Sequence, residues 1–356
     1  MSNPASFSDS YKPHIDGLRA VAVLMVLVQH WFDPTLKVGG WGVILFFVIS
    51  GYLISHSIHS LRTCGLGLGA AAKVFFVRRS TRLFPAFYLL LAIWWLGPDQ
   101  FRADWAWYAL YASNFLLDAR QFFVAFTASW SLAVEEQFYL VWFLVLMLLP
   151  VQRPGWTGAL MALMVVAAVL ARFGYAQAGN KFGFYLPWSN LDALAAGAAL
   201  WRWQLAQRSL PDWLIRAGAV FIPLLLLVVF GGGFAPMPLW QAVVPLLIAA
   251  GAALLVWRAS FGFTGVFGRL WGNRPLVYLG RISYGIYLYH TLGPTIANKV
   301  EAKWPVLAPL IKVGTYGGFA THVLVTVLLA ALSFHLYELP LRRSLNRRIL
   351  GKIVAG

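Results

Sequence analysis

The sequence predicts an all-α, polytopic membrane helix bundle of about ten transmembrane helices, with the N- and C-termini cytoplasmic. Three observations carry that expectation: 60% of the 356 residues are hydrophobic, only 11% are charged, and the apolar residues gather into runs of span length. A soluble domain carries about 25% charged residues, so this composition cannot clothe a surface that meets water on every side. An aromatic share of 16% excludes disorder, and the single cysteine, Cys64, excludes a disulfide scaffold.

A bilayer core needs about 20 mostly apolar residues per helix. The first run, at about 17–36, follows a polar N-terminus without a cleavable apolar core, so it is expected as a retained span. Further spans follow at about 41–59, 83–97, 130–150, 156–176, 185–203, 213–231, 238–257, 278–297 and 317–338. The stretch from Trp105 to Leu117 has 13 apolar or neutral residues, too few to cross, and is expected as an interfacial or re-entrant segment on the outer side. With the N-terminus inside, 20 of the 28 Lys and Arg residues fall on the cytoplasmic side, as the positive-inside rule requires. An eleventh span would invert the later loops and leave 13 inside against 15 outside. The net charge of +16 is therefore assigned to orientation and contact with anionic membrane lipid, not to nucleic acid. Residues 1–356 are expected as a single integral-membrane domain, with a core at about 15–340, a cytoplasmic tail at 341–356, and no repeat or low-complexity tract.

An ionisable side chain at mid-bilayer costs about 2.5–3.5 kcal/mol on insertion scales, so each one within a span needs a reason. The candidates are His30, His56, Glu135, Glu136, Asp192, His290, His322 and His335. Arg19 and His30 are three helical turns apart, on one face and separated by about 16 Å along the axis. They cannot touch, but one extended ligand reaches both. Glu135 and Glu136 fall near the outer end of the fourth span, Asp192 in the outer half of the sixth and His290 in the middle to outer part of the ninth. Together with His30 they predict a polar pocket in the outer half of the bundle. A carboxylate beside a histidine makes the imidazole more basic and orients it, which suits a general base. His56, His322 and His335 are read as hydrogen-bonded structural histidines, and Asp33 as a solvated loop residue. Arg79 and Arg82 point the same way from the start of a helix, and guanidinium groups hold phosphate bidentately. Positive-inside anchoring is the competing account of that pair.

These residues carry a resemblance. The runs IDGLRAVAVLMVLVQH from Ile15 to His30, FFVISGYLI from Phe46 to Ile54, RRSTRLFPAFY ending at Tyr88, SWSLAVEEQFYLVWF from Ser129 to Phe143, LGRISYGIYLYHTL from Leu279 to Leu292 and HLYELPLRR from His335 to Arg343 resemble, in order, the integral-membrane acyltransferase 3 family. The resemblance implies a ten-helix O-acyltransferase that takes an acyl group, most often acetyl from acetyl-coenzyme A, and places it on a hydroxyl of an extracytoplasmic glycan or small acceptor. It implies that Arg19, Arg79 and Arg82 bind the donor, that His30 and Glu135 are catalytic, and that Glu136, Ser283, Tyr287, His290 and Asp192 support them. Family members commonly carry an arginine where this chain has Asn190. Some relatives add a soluble C-terminal hydrolase-like domain. None is expected here, so the chain transfers the group itself or hands it to a separate extracytoplasmic transferase.

The implied mechanism docks coenzyme A, or another acyl-coenzyme A, near Arg19, Arg79 and Arg82 and carries the thioester toward His30. The imidazole, oriented by Glu135, then deprotonates the acceptor hydroxyl, with an acyl-histidine as the covalent variant. No metal motif or Walker A lysine is present, so neither a metal nor ATP is expected. The expected location is the cytoplasmic (inner) membrane of a bacterium. The alternative is a proton-coupled transporter or lipid-linked sugar flippase, since intramembrane His and Glu also suit proton relays.

Overall fold

A computed structural model describes residues 12–149, 154–206 and 237–355. Helices account for its regular structure, and no strand occurs among the described residues. Among the described residues six helices are long and apolar enough to cross a membrane: Pro13–Phe32, Val38–Thr63, Ser129–Leu148, Gly155–Gln177, Pro238–Phe261 and Tyr316–Arg347. They coincide with six of the expected spans, and the chain is a multi-pass membrane protein. The expected span at 213–231 lies outside the described residues.

Three expected spans take other forms. The segment 83–97 is the second half of one helix, Leu68–Trp95, whose first half carries Arg78, Arg79 and Arg82. At 28 residues it is about 42 Å long, more than a bilayer core requires. The segment 185–203 becomes two single 3₁₀ turns followed by the 15-residue helix Leu191–Leu205. The segment 278–297 is interrupted and falls within the helices Arg274–Arg281, Ser283–Tyr289 and Leu292–Lys303. Ile282 leaves the helical region at ψ 6°, which ends the first of these. Pro294 lies in the first turn of the third, where its missing N–H costs no hydrogen bond. The stretch expected not to cross forms two short helices, Asp99–Ala109 and Ser113–Arg120, separated by Tyr111 at a φ of 53°.

We number the helices in chain order: α1 Pro13–Leu27, α2 Val38–Thr63, α3 Leu68–Trp95, α4 Asp99–Ala109, α5 Ser113–Arg120, α6 Ser129–Leu148, α7 Pro154–Gln177, α8 Leu191–Leu205, α9 Pro238–Phe261, α10 Gly265–Trp271, α11 Arg274–Arg281, α12 Ser283–Tyr289, α13 Leu292–Lys303, α14 Ala308–Ile311, α15 Tyr316–Leu332 and α16 Leu339–Ala355. They form two compact units. One comprises residues 1–42, 61–109 and 265–356, and the other residues 43–60 and 110–264.

In the first unit α1 packs along α11, α3 along α16, and α12 along α15. Gly280 makes the first contact possible, because a Cβ there would lie 1.8 Å from the carbonyl oxygen of Asp16. Tyr284 of α12 donates to the Leu83 carbonyl of α3, and Thr81 of α3 donates to the Asn346 side-chain oxygen of α16. In a membrane, where apolar side chains gain little by leaving lipid, such close backbone contact and interhelical hydrogen bonding supply the association.

In the second unit α7, α8 and α9 pack on one another. Gly51 of α2 abuts the Leu194 carbonyl, and Gly197 abuts the Val48 carbonyl, with a Cβ at 2.1 and 2.0 Å respectively. The unit is locked by Arg172 and Asp192, both about 2% exposed. Arg172 donates bidentately to Asp192 at 2.9 and 2.7 Å, to the Ser189 carbonyl at 2.6 Å and to the Ala242 carbonyl at 2.9 Å. One guanidinium thus ties its neighbours together with four of its five N–H donors. Replacing Arg172 by Met strands a buried carboxylate and is expected to cost about 3–5 kcal/mol, whereas the double replacement Arg172→Met with Asp192→Leu recovers most of it. Thermal unfolding of the purified protein in detergent checks both.

Candidate active site

The last turn of the Pro13–Phe32 helix is wound as a π turn over Val28–Phe32, closed by the Asp33 N–H to the Val28 carbonyl at 3.0 Å. Such wide turns recur at functional positions because they re-aim side chains and disturb carbonyl pairing. His30 lies in this turn, is exposed, and hydrogen-bonds through Nδ1 to the Val26 carbonyl at 2.9 Å. A carbonyl only accepts, so Nδ1 carries the proton and the neutral ring presents Nε2 as a bare lone pair. That is the tautomer a general base needs, and main-chain geometry sets it. Asp33 plays no part in it: its carboxylate caps the next turn, accepting from the Thr35 hydroxyl at 2.6 Å and the Thr35 N–H at 2.8 Å. Thr35, through its hydroxyl first and its N–H second, holds the Asp33 carboxyl below the usual carboxylate range.

His30 has aromatic company in its own unit. The His290 ring stands edge-on at 4.9 Å between centroids, Trp31 lies 6.1 Å from His290, and His322 lies 5.2 Å from Trp31. The three histidines share one arrangement, for His290 Nδ1 meets the Tyr287 carbonyl at 2.5 Å and His322 Nδ1 meets the Gly318 carbonyl at 2.6 Å. Tyr287 also packs its ring 5.4 Å from His290. Ser283, fully buried at the start of α12, has no hydrogen-bond partner for its hydroxyl among the described residues. His322 also lines a largely apolar cavity of about 100 Å³ with Leu292, Gly293, Ile296, Val325 and Thr326. His335 is a structural histidine, stacked on Tyr278 and bonded to its hydroxyl at 3.1 Å.

At the other end of α1 the basic residues meet. The Arg82 guanidinium feels the charge of Arg19 most strongly, then those of Arg79 and Arg342, with Asp16 the opposing charge. Three guanidiniums that act on a fourth make an excess of like charge that a polyanion relieves, and guanidinium forks match phosphate oxygens. Asp16 is shared, lying 4.0 Å from Arg281. Arg342, which comes from the C-terminal helix, is a member of the cluster that spacing alone did not reveal.

Glu135 belongs to the second unit, where its carboxylate accepts the Ser50 hydroxyl at 2.5 Å; neighbouring Glu136 is half-buried. Asp192 lies in the same unit, where both its oxygens serve Arg172 and one also accepts the Ala193 N–H. Asn190, at the position where arginine is common, ties its own loop by donating to the Phe184 and Leu186 carbonyls. Trp31, Arg342, Ser50 and Arg172 are the contributors that reading the sequence missed. Only Arg172 left a signal, as an arginine inside an expected apolar span opposite an aspartate inside the next. No group of three or more His, Cys, Asp or Glu residues suited to a metal occurs among the described residues.

Comparison with known proteins agrees with these motifs. The family profile described as an acyltransferase domain, acyltransferase 3, matches residues 13–337. A Bacillus subtilis protein provisionally named a peptidoglycan O-acetyltransferase is 32% identical over 377 aligned residues, covering 95% of this chain and 57% of that protein. The peptidoglycan O-acetyltransferase of Listeria monocytogenes is 28% identical, covering 97% of this chain and 58% of its own length. The O-acetyltransferase of Staphylococcus aureus is 26% identical, covering 95% and 58%. The chain thus spans a little under three fifths of these relatives. No solved structure matches it. The profile covers Arg19, Arg79, Arg82 and the His30 cluster, and the chain belongs to the acyltransferase 3 family.

Proposed function

We propose that the chain is a membrane O-acetyltransferase that takes acetyl from acetyl-coenzyme A on the cytoplasmic side and transfers it to a hydroxyl of an extracytoplasmic glycan. Peptidoglycan is the first acceptor to test, since two of the relatives carry it in their names. The observation that carries the reading is on the first helix: Arg19 joins an arginine cluster around Arg82, and eleven residues on, in the π turn, His30 presents a lone pair fixed by the Val26 carbonyl. The expected ten spans with cytoplasmic termini, in a bacterial inner membrane, give this helix the direction the reaction needs.

In this mechanism Arg19, Arg79 and Arg82, joined by Arg342, hold the phosphates of coenzyme A. The pantetheine arm then extends along the helix toward His30. His30 Nε2 takes the proton of the acceptor hydroxyl as its oxygen attacks the thioester carbonyl carbon. The tetrahedral intermediate collapses with cleavage of the C–S bond, and the thiolate leaves with the proton returned by the imidazolium. Glu135, whose carboxylate accepts the Ser50 hydroxyl, is the second residue assigned to catalysis, with Glu136 in support. The acetyl group passes directly, or through a separate extracytoplasmic transferase. None of the matches favours the transporter alternative.

The decisive measurement is thiol release from acetyl-coenzyme A by the purified protein, with and without glycan strands of de-O-acetylated peptidoglycan. Release is expected to depend on the glycan and to fall by at least about a hundredfold in His30→Ala; an active His30→Ala protein rules out His30 as the base. Arg82→Ala is expected to weaken acetyl-coenzyme A binding by about tenfold or more while kcat changes little, as loss of a charge-assisted phosphate contact demands. Titration calorimetry alongside the steady-state kinetics reads that split, and an unchanged Kd counts against the donor assignment.

A further inference from the structure

Among the buried polar atoms that the mechanism above leaves unused, two lie on neighbouring rings of the first unit. Trp31 is fully buried and His290 is 1% exposed, and neither the indole Nε1 nor the imidazole Nε2 has a hydrogen-bond partner among the described residues. Their chemistry is complementary. The indole N–H can only donate. His290 has its Nδ1 proton committed to the Tyr287 carbonyl, so in the neutral ring Nε2 can only accept. One unpaired donor and one unpaired acceptor, on rings 6.1 Å apart, match a single hydroxyl, whose oxygen accepts from the indole while its hydrogen goes to the imidazole.

The place is as informative as the chemistry. His290 stands 4.9 Å from His30, which is exposed, so a molecule that brings one hydroxyl to His30 carries a neighbouring hydroxyl toward the pair behind it. Trp31 is held firmly there. Its carbonyl accepts the Gly314 N–H at 2.9 Å, and Gly293 lies so close that a Cβ would come within 3.1 Å of the indole ring and 2.8 Å of His322. Buried polar groups left unpaired are uncommon in folded proteins, and a pair of opposite kind beside a base is suited to a ligand.

We propose that Trp31 Nε1 and His290 Nε2 form a one-hydroxyl subsite that binds a second hydroxyl of the acceptor and so positions the first at His30. The subsite rests on the acyltransferase reading. It makes the enzyme selective for acceptors with two hydroxyls in reach of each other, and it gives His290 a binding role, with proton transfer left to His30.

The test measures acetyl transfer from acetyl-coenzyme A to de-O-acetylated peptidoglycan strands for wild type, Trp31→Phe, His290→Phe, His290→Gln and the Trp31→Phe/His290→Phe double variant. Acetyl-coenzyme A Kd and Tm are recorded for each. Both single Phe variants are expected to raise the acceptor KM about three- to tenfold, with kcat within about threefold and donor Kd unchanged. His290→Gln, whose side-chain oxygen can stand in for the Nε2 lone pair, is expected to return KM to within about threefold of wild type. The double variant is expected to be little worse than either single, since both atoms hold one hydroxyl. A lowered Tm with unchanged acceptor KM means that the pair binds only a structural water, which overturns the proposal. So does a Gln variant as impaired as Phe, or full additivity in the double. A wild-type protein that releases no thiol defeats the acyltransferase reading itself, an outcome visible before any variant is compared.

Discussion

In the hydrocarbon of a bilayer no water is at hand to satisfy a polar group, so a buried donor or acceptor left without a partner in the protein is costly. For a histidine on an apolar helix the nearest partner is a carbonyl of its own turn. His30, His290 and His322 all take that partner through Nδ1. The consequence is chemical as well as structural. A proton fixed on Nδ1 turns the opposite nitrogen into a lone pair, so the need to satisfy the backbone also selects the tautomer competent as a base. The π turn at Val28–Phe32 assists, because a wider turn disturbs the usual pairing of carbonyls with N–H groups four residues on, and the Val26 carbonyl receives the ring.

The same constraint separates scaffold from site in the second unit. Arg172 and Asp192 are buried charges, which are tolerable only when each satisfies the other and the leftover donors reach carbonyls. Here they do, through Ser189 and Ala242, and both carboxylate oxygens of Asp192 are held, which makes this pair part of the scaffold. The arginine cluster of the first unit is the reverse case. Its four guanidiniums outnumber the carboxyl groups of Asp16, shared with Arg281, and of Glu338, which feels Arg82 and Arg342, and such an excess favours an anion from outside the protein. Completeness marks a structural ion pair, and excess charge of one sign marks a binding place.

Much of the fold was legible in the sequence because hydrocarbon thickness fixes how long an apolar run must be. Residues 13–32, 38–63, 129–148, 155–177, 238–261 and 316–347 answer to that rule. The 13-residue stretch near Trp105 also obeyed it, folding as helices of 11 and 8 residues that are too short to cross. The interruption of 278–297 was not legible, since hydropathy registers how apolar a run is and says nothing of whether its backbone stays helical through Ile282. Of the site, the spacing of Arg19 and His30 and the pairing of Arg79 with Arg82 could be read directly. The partner of His30 Nδ1 could not, because a main-chain carbonyl leaves no mark in a sequence. Trp31 was hidden for another reason: a tryptophan near a span end is common as an interfacial anchor, and only its burial beside His290 distinguishes it.

These observations explain why α1 matters more than its length suggests. A donor with phosphates at one end and a thioester at the other needs two recognition points at a fixed separation, and a rigid helix supplies that separation better than two loops. α1 is held by α11, where Gly280 abuts the Asp16 carbonyl, and by the end of α10, where Gly17 abuts the Trp271 carbonyl. Such backbone contacts leave no room for the helix to slide. With α1 fixed, the distance from Arg19 to His30 is set by helix geometry, about 16 Å, so the length of the donor's arm becomes part of what the site recognises. The short, broken helices α11 and α12 then have a reason of their own. A continuous helix would carry one face past α1, whereas the break at Ile282 lets Arg281 stay by Asp16 while His290 reaches His30.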